Sequence, residues 1–192
     1  MENIFVIDDI ANRRHDCDML LNQNWFKDIN VRYRTLLPNN CMKLLGPKYT
    51  LLRPEFIEAK NNKKKNRKFM KKIFLFFGGS DSKNMTSVAL KALSSIELSF
   101  FQVEVVIGSN NIFHDEVKKL VKLRPKTNLY IQVDNIAEIM VDCDLAIGSG
   151  GVNTWERIIL GLPSIIIITA SNQLLVTKDL ADNGYINCIG KY

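Results

Sequence analysis

Metal-binding patterns are missing from this sequence. It contains 4 cysteines and 2 histidines in 192 residues, without a CxxC pair or two neighbouring histidines. The cysteines, Cys17, Cys41, Cys143 and Cys188, are scattered along the chain. This spacing argues against a zinc site and is typical of reduced thiols in a cytosolic protein. We therefore expect no metal and no other cofactor.

Long apolar runs are missing as well. The longest, residues 162–169, is interrupted by Pro163 and has the length of a strand. A membrane-spanning helix needs about 20 apolar residues. The acidic Glu2 after Met1 also differs from the basic start of a signal peptide. We expect a cytoplasmic protein without a membrane span.

The net charge of +6 is concentrated in one segment. Residues 60–68 read KNNKKKNRK, and Lys71 and Lys72 follow. A nucleic-acid surface interleaves basic residues with aromatic ones or spreads them over one face of a folded element, and this run does neither. The run predicts a solvated basic linker, residues 58–71, and no nucleic-acid partner.

The block before the linker, residues 1–57, has few strong structural signals. Residues 4–7 and 19–21 predict two short strands, and Pro47 and Pro54 punctuate an irregular segment between residues 46 and 54. Two strands make a poor independent core. We interpret the block as a partial N-terminal α/β domain whose exposed edge favours association.

The pattern after the linker, residues 72–192, is regular. The predicted strands are residues 73–77, 101–107, 129–133, 145–147 and 164–168, with a further edge strand at 186–189. The predicted helices are residues 85–96, 115–123, 136–141, 153–160 and 174–182. This alternation predicts an α/β fold in which a Rossmann-like parallel sheet is covered by helices on both faces.

Loops rich in glycine and serine follow several of these strands. They contain Gly79 and Ser80, then residues 108–110, then Ser149, Gly150 and Gly151, and finally Asn172 and Gln173. In an open parallel sheet, ligands bind beyond the carboxyl ends of the strands. Glycine lets backbone amides approach an anion, and a following helix adds free N–H donors. A phosphate or diphosphate is the natural ligand of such loops.

The sharpest local signal is GSGG at residues 148–151 with Glu156 behind it. It lacks the lysine of a Walker A loop and the spacing of a dinucleotide fingerprint. A carboxylate one to two turns into the helix can accept hydrogen bonds from both hydroxyls of a ribose. The alternative is a capping or solvent-facing glutamate.

These residues carry a family resemblance. The segments GSGGVNTWE (148–156), LGLP (160–163) and NQ (172–173) resemble the UDP-binding half of B-type glycosyltransferases related to the lipid II synthase. Further segments are similar, in order and spacing, to the hydrolase family that removes UDP from the pseudaminic acid precursor. They are VIDD (6–9), HDCD (15–18), LGPKY (45–49), LRPEF (52–56) and FGGSDSKN (77–84).

The resemblance implies metal-free hydrolysis of a UDP-linked diacetamido-trideoxyhexose, with the UDP-sugar as the small-molecule partner. It implies that Glu156 holds the ribose and that the Val133 backbone pairs with the uracil. The diphosphate would face Ser149, Gly150 and Gly151. The resemblance also places three amide side chains at the diphosphate or sugar: Asn84, Asn172 and Gln173.

The catalytic residue stays unassigned at this stage. The resemblance places the family's catalytic histidine in a Gly-x-Gly-His loop ahead of residue 1, and neither His15 nor His114 matches that position. We expect a structural role for His15, a solvated His114 at the start of a helix, and little hydrolysis by these 192 residues alone. The open alternatives are a glycosyltransferase and a non-catalytic nucleotide-sugar-binding protein.

Overall fold

The computed structural model describes residues 3–62, 69–95 and 100–192. The chain forms two parallel sheets, one of three strands and one of six. No helix in these described ranges is both long enough and apolar enough to cross a membrane.

The first sheet contains β1 (Phe5–Ile7), β2 (Met19–Asn22) and β3 (Met42–Leu45) in that order. A one-turn helix, α1 (Ile29–Arg32), precedes β3, and a 3₁₀ turn (Pro47–Tyr49) follows it. β2 is buried in the middle, whereas β1 is an edge strand. The sequence did not predict β3, because half of its four residues are exposed and it lacks a clear apolar alternation.

Helix α2 (Pro54–Asn61) begins at a proline, as helices often do. The predicted boundary between residues 57 and 58 falls inside this helix. The fully buried Phe56 packs in the core of the second sheet, next to Phe74 and Met140. Residues 63–68 of the predicted linker lie outside the described residues, and the domain limits stay a prediction.

The second sheet confirms the predicted Rossmann-like fold. Its strands are β4 (Lys72–Phe76), β5 (Gln102–Ile107), β6 (Thr127–Ile131), β7 (Leu145–Ser149), β8 (Ser164–Ile168) and β9 (Asn187–Lys191). Its helices are α3 (Met85–Ser95), α4 (His114–Leu123), α5 (Ile136–Val141), α6 (Val152–Ile159) and α7 (Leu174–Asp182). Residue 96, predicted as the end of α3, lies outside the described residues. β6 ends two residues before its predicted end, because Gln132 turns the chain with φ 50°.

Side chains of β4 alternate between two apolar cores. Ile73 and Leu75 of β4 point to the face covered by α3 and α4, whereas Phe74 points to the face covered by α2 and α5. A strand buried on both faces has no polar side to reveal the alternation in its sequence. This burial explains the continuous apolar composition of β4 after Lys72.

The strand order places a topological switch point at the centre of the second sheet. The order is β6-β5-β4-β7-β8-β9, so the chain moves outward from β4 to β6 and then returns to β7 beside β4. All neighbouring pairs are parallel. The loops after β4 and β7 therefore leave the sheet side by side, which is where open α/β sheets bind ligands.

We predict that Phe56→Ala lowers the free energy of unfolding by about 3–5 kcal/mol, because it leaves a cavity in the second sheet's core. The control is Ile57→Ala on the same helix, where the side chain is 52% exposed. That change should stay within about 0.5 kcal/mol. Urea unfolding of both variants measures the difference, and equal losses would contradict the packing of α2 described above.

Candidate nucleotide-binding site

The glycine loop, defined as residues 148–151, ends β7 at the switch point. Gly148 pairs with Phe76 at the end of β4. On the other side of β4, the Gly108 N–H donates to the Gly79 carbonyl at 3.1 Å. The loops after β5, β4 and β7 thus form one continuous rim at the carboxyl edge of the sheet.

Two positions of the glycine loop require glycine. A β-carbon on Gly148 would lie 2.1 Å from the Phe76 carbonyl oxygen and 2.9 Å from Nη1 of Arg157. Gly151 has φ +111°, which side-chain-bearing residues rarely adopt. Gly151 is also the N-cap of α6, and no side chain of the described residues caps this end. The first N–H groups of α6 have no partner within the helix.

The loop after β8 contacts the glycine loop. A β-carbon on Gly150 would lie 3.3 Å from Cβ of Gln173 and 2.7 Å from Oγ1 of Thr177. The Gln173 side-chain oxygen accepts from the Thr169 N–H at 3.0 Å, so the amide nitrogen is the group left to donate. Asn172 is exposed in the 3₁₀ turn Ser171–Gln173. The structure therefore brings Gln173 to the glycine loop, with Asn172 beside it in the chain.

Glu156 is buried, with 4% of its surface exposed. One carboxylate oxygen accepts from Nη2 of Arg53 at 3.0 Å, and the other accepts from the Asn153 side-chain amide. The Arg53 guanidinium also pairs with Glu55 at 3.1 Å and lies over the Phe56 ring. The structure thus holds Glu156 in the interior rather than in solvent.

Arg53 and Arg157 were not predicted as site residues. Arg53 lies in the LRPEF segment (52–56). Nothing in this segment reveals its partner Glu156, which lies 103 positions further along the chain. Arg157 is buried within α6. A lone arginine in an amphipathic helix reads as a surface residue, and no sequence signal distinguished this one.

The predicted site residues of the loop after β4 differ in their exposure and in their partners. Gly79 and Ser80 are exposed at the rim, and the buried Asp81 caps α3 by accepting from the N–H groups of Met85 and Thr86. Asn84 donates its amide to Glu116 of α4 at 2.8 Å. Its own side-chain oxygen is buried without a hydrogen-bond partner among the described residues.

Glu116 is fixed by that contact and by a lysine. The hydrogen bond from Lys91, and then the one from Asn84, lower the pKa of Glu116, so its carboxylate is ionised at neutral pH. The amide nitrogen of Asn84 therefore points toward α4 and already has an acceptor there, so it is not free to donate to an anion.

Val133 lies just beyond β6 and is half-buried. Its side chain packs against the core beneath α5. The positive φ of the preceding Gln132 ends the strand and places the Val133 backbone in the loop at the carboxyl edge. The pairing of this backbone with a ligand stays a prediction.

His15 belongs to a polar cluster at the carboxyl end of the first sheet. Its Nε2 lies 3.8 Å from the Asp8 carboxylate, and both side chains are more than nine-tenths buried. Tyr33 donates to Asp8 at 2.7 Å, and the Asn22 amide donates to the Tyr33 oxygen at 2.9 Å. Burial, and then this hydrogen bond to Asp8, raise the pKa of Tyr33. The His15 Nε2 has no hydrogen-bond partner among the described residues, and the role of His15 stays a prediction. His114 begins α4, about one-third exposed.

The described parts of the chain contain no group of three His, Cys, Asp or Glu side chains close enough to hold a metal ion. Side chains that approach the glycine loop closely include Arg157, Gln173 and Thr177.

The two parallel sheets and the switch-point loops define the fold of the B-type glycosyltransferases. The structure of MurG from Acinetobacter baumannii is similar, with a TM-score of 0.60 at 16% identity over 90% of this chain and 52% of MurG. This likeness establishes the fold class.

The sequence profile of the glycosyltransferase family 28 C-terminal domain matches residues 73–190, and the chain belongs to this family. An uncharacterized protein of Methanocaldococcus jannaschii is 36% identical over 67% of this chain and 28% of its own length. The UDP-2,4-diacetamido-2,4,6-trideoxy-β-L-altropyranose hydrolase of Campylobacter jejuni is 30% identical over 89% of this chain and 60% of its own length. The chain thus spans less than two thirds of these curated relatives.

We predict that Gly148→Ala destabilises the protein by about 1–3 kcal/mol or more, because the new methyl group meets a backbone oxygen that cannot move. Gly79→Ala is the matched control, since its β-carbon would meet nothing within 4 Å. Thermal unfolding compares the two variants. A Gly148 variant as stable as the Gly79 variant would contradict the close approach of β4 and β7.

Proposed function

We propose that this chain binds a UDP-sugar at the carboxyl edge of its second sheet. The observation that carries the proposal is the glycine loop at the switch point, which leads into the uncapped start of α6 with a buried carboxylate one turn on. Backbone amides and a helix N-terminus suit a diphosphate. A fixed carboxylate suits the hydroxyls of a ribose.

In this proposal each group of residues contacts a different part of the ligand. The amides of Ser149, Gly150 and Gly151 hold the diphosphate, with the exposed rim residues Gly79 and Ser80 across from them. Glu156 accepts from the ribose, and the Val133 backbone pairs with the uracil. The Gln173 amide nitrogen and the exposed Asn172 donate to the diphosphate or sugar.

Asn84 takes a narrower role than the sequence suggested. Its amide nitrogen already donates to Glu116, and its unpartnered atom is an acceptor. An oxygen acceptor repels phosphate but accepts from a hydroxyl. We therefore assign Asn84 to a sugar hydroxyl rather than to the diphosphate.

The reaction proposed first is hydrolysis of the UDP-sugar. A water oxygen attacks the anomeric carbon, the bond from that carbon to the UDP oxygen breaks, and its electron pair leaves with UDP. The proton lost by the water passes to a base. Amides aimed at the departing diphosphate stabilise its growing charge. The 30% identity to the hydrolase of C. jejuni supports this reaction.

Glycosyl transfer is the second candidate, and the fold shared with MurG supports it. The step differs only in the attacking oxygen, which belongs to an acceptor hydroxyl instead of water. Adding candidate acceptors to a UDP-release assay separates the two reactions, because a transferase accelerates with acceptor and yields a glycosylated product. Binding without release by any form of the protein would favour the third possibility, a non-catalytic nucleotide-sugar-binding protein.

We predict that Glu156→Gln weakens UDP binding about tenfold to a hundredfold. The loss of a charge-assisted pair of hydrogen bonds costs about 1.5–3 kcal/mol. Glu55→Gln is the control, because Glu55 also pairs with Arg53 but is partly exposed. Calorimetric titration with UDP measures both. Equal affinity in wild type and the Glu156 variant would remove Glu156 from the ribose site.

We predict that the 192-residue chain releases UDP from a UDP-sugar at least about a hundredfold more slowly than a fusion carrying the Gly-x-Gly-His segment that the family resemblance implies. The chain has no such segment, and a positioned base contributes about 10²–10⁴ in rate. Coupled detection of UDP measures both proteins. Comparable turnover that disappears in His15→Ala would contradict this mechanism and identify His15 as the base.

A further inference from the structure

Arg157 is a buried cation directly beneath the glycine loop. Its side chain is 1% exposed. Nη2 donates to the Ser149 carbonyl at 2.7 Å and to Oγ1 of Thr154 at 3.1 Å. Nε and Nη1 are buried without a hydrogen-bond partner in the described parts of the chain. Nη1 lies 2.9 Å from the position that a β-carbon on Gly148 would occupy.

Stability does not account for this residue. Burying a charge with donors left unpaired is costly, and an apolar side chain of similar volume is often as stable or more so. Burial lowers the pKa of the Arg157 guanidinium to about 10, and the neighbouring Glu156 carboxylate opposes that shift. The group is therefore positively charged at neutral pH. A costly cation at this position points to a role in the glycine loop above it.

The hydrogen bond to Ser149 sets the orientation of the next peptide. The carbonyl of Ser149 points inward to Arg157. In a planar trans peptide the C=O and N–H groups point in opposite directions. The N–H of Gly150 is therefore turned away from the buried guanidinium, and it is not among the backbone donors already paired in the turns and loops of the described residues.

We infer that Arg157 is a positioning residue for a diphosphate ligand: it pulls the Ser149 carbonyl inward and so aims the Gly150 amide at the phosphate groups. The same bond keeps the Ser149 carbonyl oxygen, which would repel an anion, turned toward Arg157. The inference rests on the proposed function, because it assumes that the loop receives a diphosphate. Arg157 itself stays covered and does not touch the ligand.

The test compares UDP with uridine, which has the same base and ribose but no phosphate. Arg157→Met removes the guanidinium and keeps an unbranched side chain. It should weaken UDP binding about tenfold or more, while uridine binding changes less than about twofold. Thr154→Val is the matched control, because it removes the other hydrogen bond of Arg157 and leaves Ser149 held. NMR titration of the full chain measures both ligands.

The outcomes separate the inference from the proposed function. Wild type that fails to bind UDP overturns the proposed function. Wild type that binds UDP, with an Arg157 variant whose ratio of UDP to uridine affinity is unchanged, overturns only the inference. A fall in both affinities together would indicate a merely structural role and also overturn it.

A second measurement uses wild-type protein and does not depend on how the variant folds. The Gly150 amide resonance should shift strongly downfield with UDP and little with uridine. A Gly150 amide that responds equally to both ligands, or to neither, would contradict the proposed orientation.

Discussion

Successive residues of α6 point in different directions because they are about 100° apart around the helix. Trp155 packs with Phe26 of the first block, and its indole N–H donates to Asn24 at 3.0 Å. Glu156 accepts from Arg53. Arg157 holds the glycine loop. A single turn of helix thus fixes three things: the position of the first block, the carboxylate of the candidate site and the shape of its loop.

The first block is consequently part of the site. Phe56 is anchored in the core of the second sheet, and Arg53, one helical turn earlier, lies over its ring. Arg53 then reaches Glu156. A change in the packing of α2 would therefore move Arg53 and, through their hydrogen bond, the Glu156 carboxylate. The position of the Glu156 carboxylate therefore depends on the position of Arg53.

The two candidate reactions share everything that the second sheet provides. In both proposed reactions the bond between the anomeric carbon and UDP breaks and the same diphosphate leaves, so both proposals assign the same amides to the developing charge. Hydrolysis and transfer differ at the opposite side of the sugar, where water or an acceptor approaches.

The polar cluster of Asp8, His15 and Tyr33 lies at the carboxyl end of the first sheet. Hydrogen bonds hold Tyr33 and Asp8 in this cluster, whereas Nε2 of His15 has no hydrogen-bond partner among the described residues.

The sequence by itself determined the second parallel sheet, its order of strands and helices along the chain, and the glycine-rich loops that follow the strands. Apolar periodicity and glycine placement are local properties, and they survive in any window of the sequence. It missed β3, whose four residues become a strand by pairing with the buried β2. The tertiary structure alone decided which loops adjoin, since only the strand order brings the ends of β4 and β7 together. It also decided the partners of Glu156 and the burial of Arg157. The reason is that a hydrogen bond spanning 103 positions, or a cation enclosed by a neighbouring strand, leaves no periodic trace in the chain.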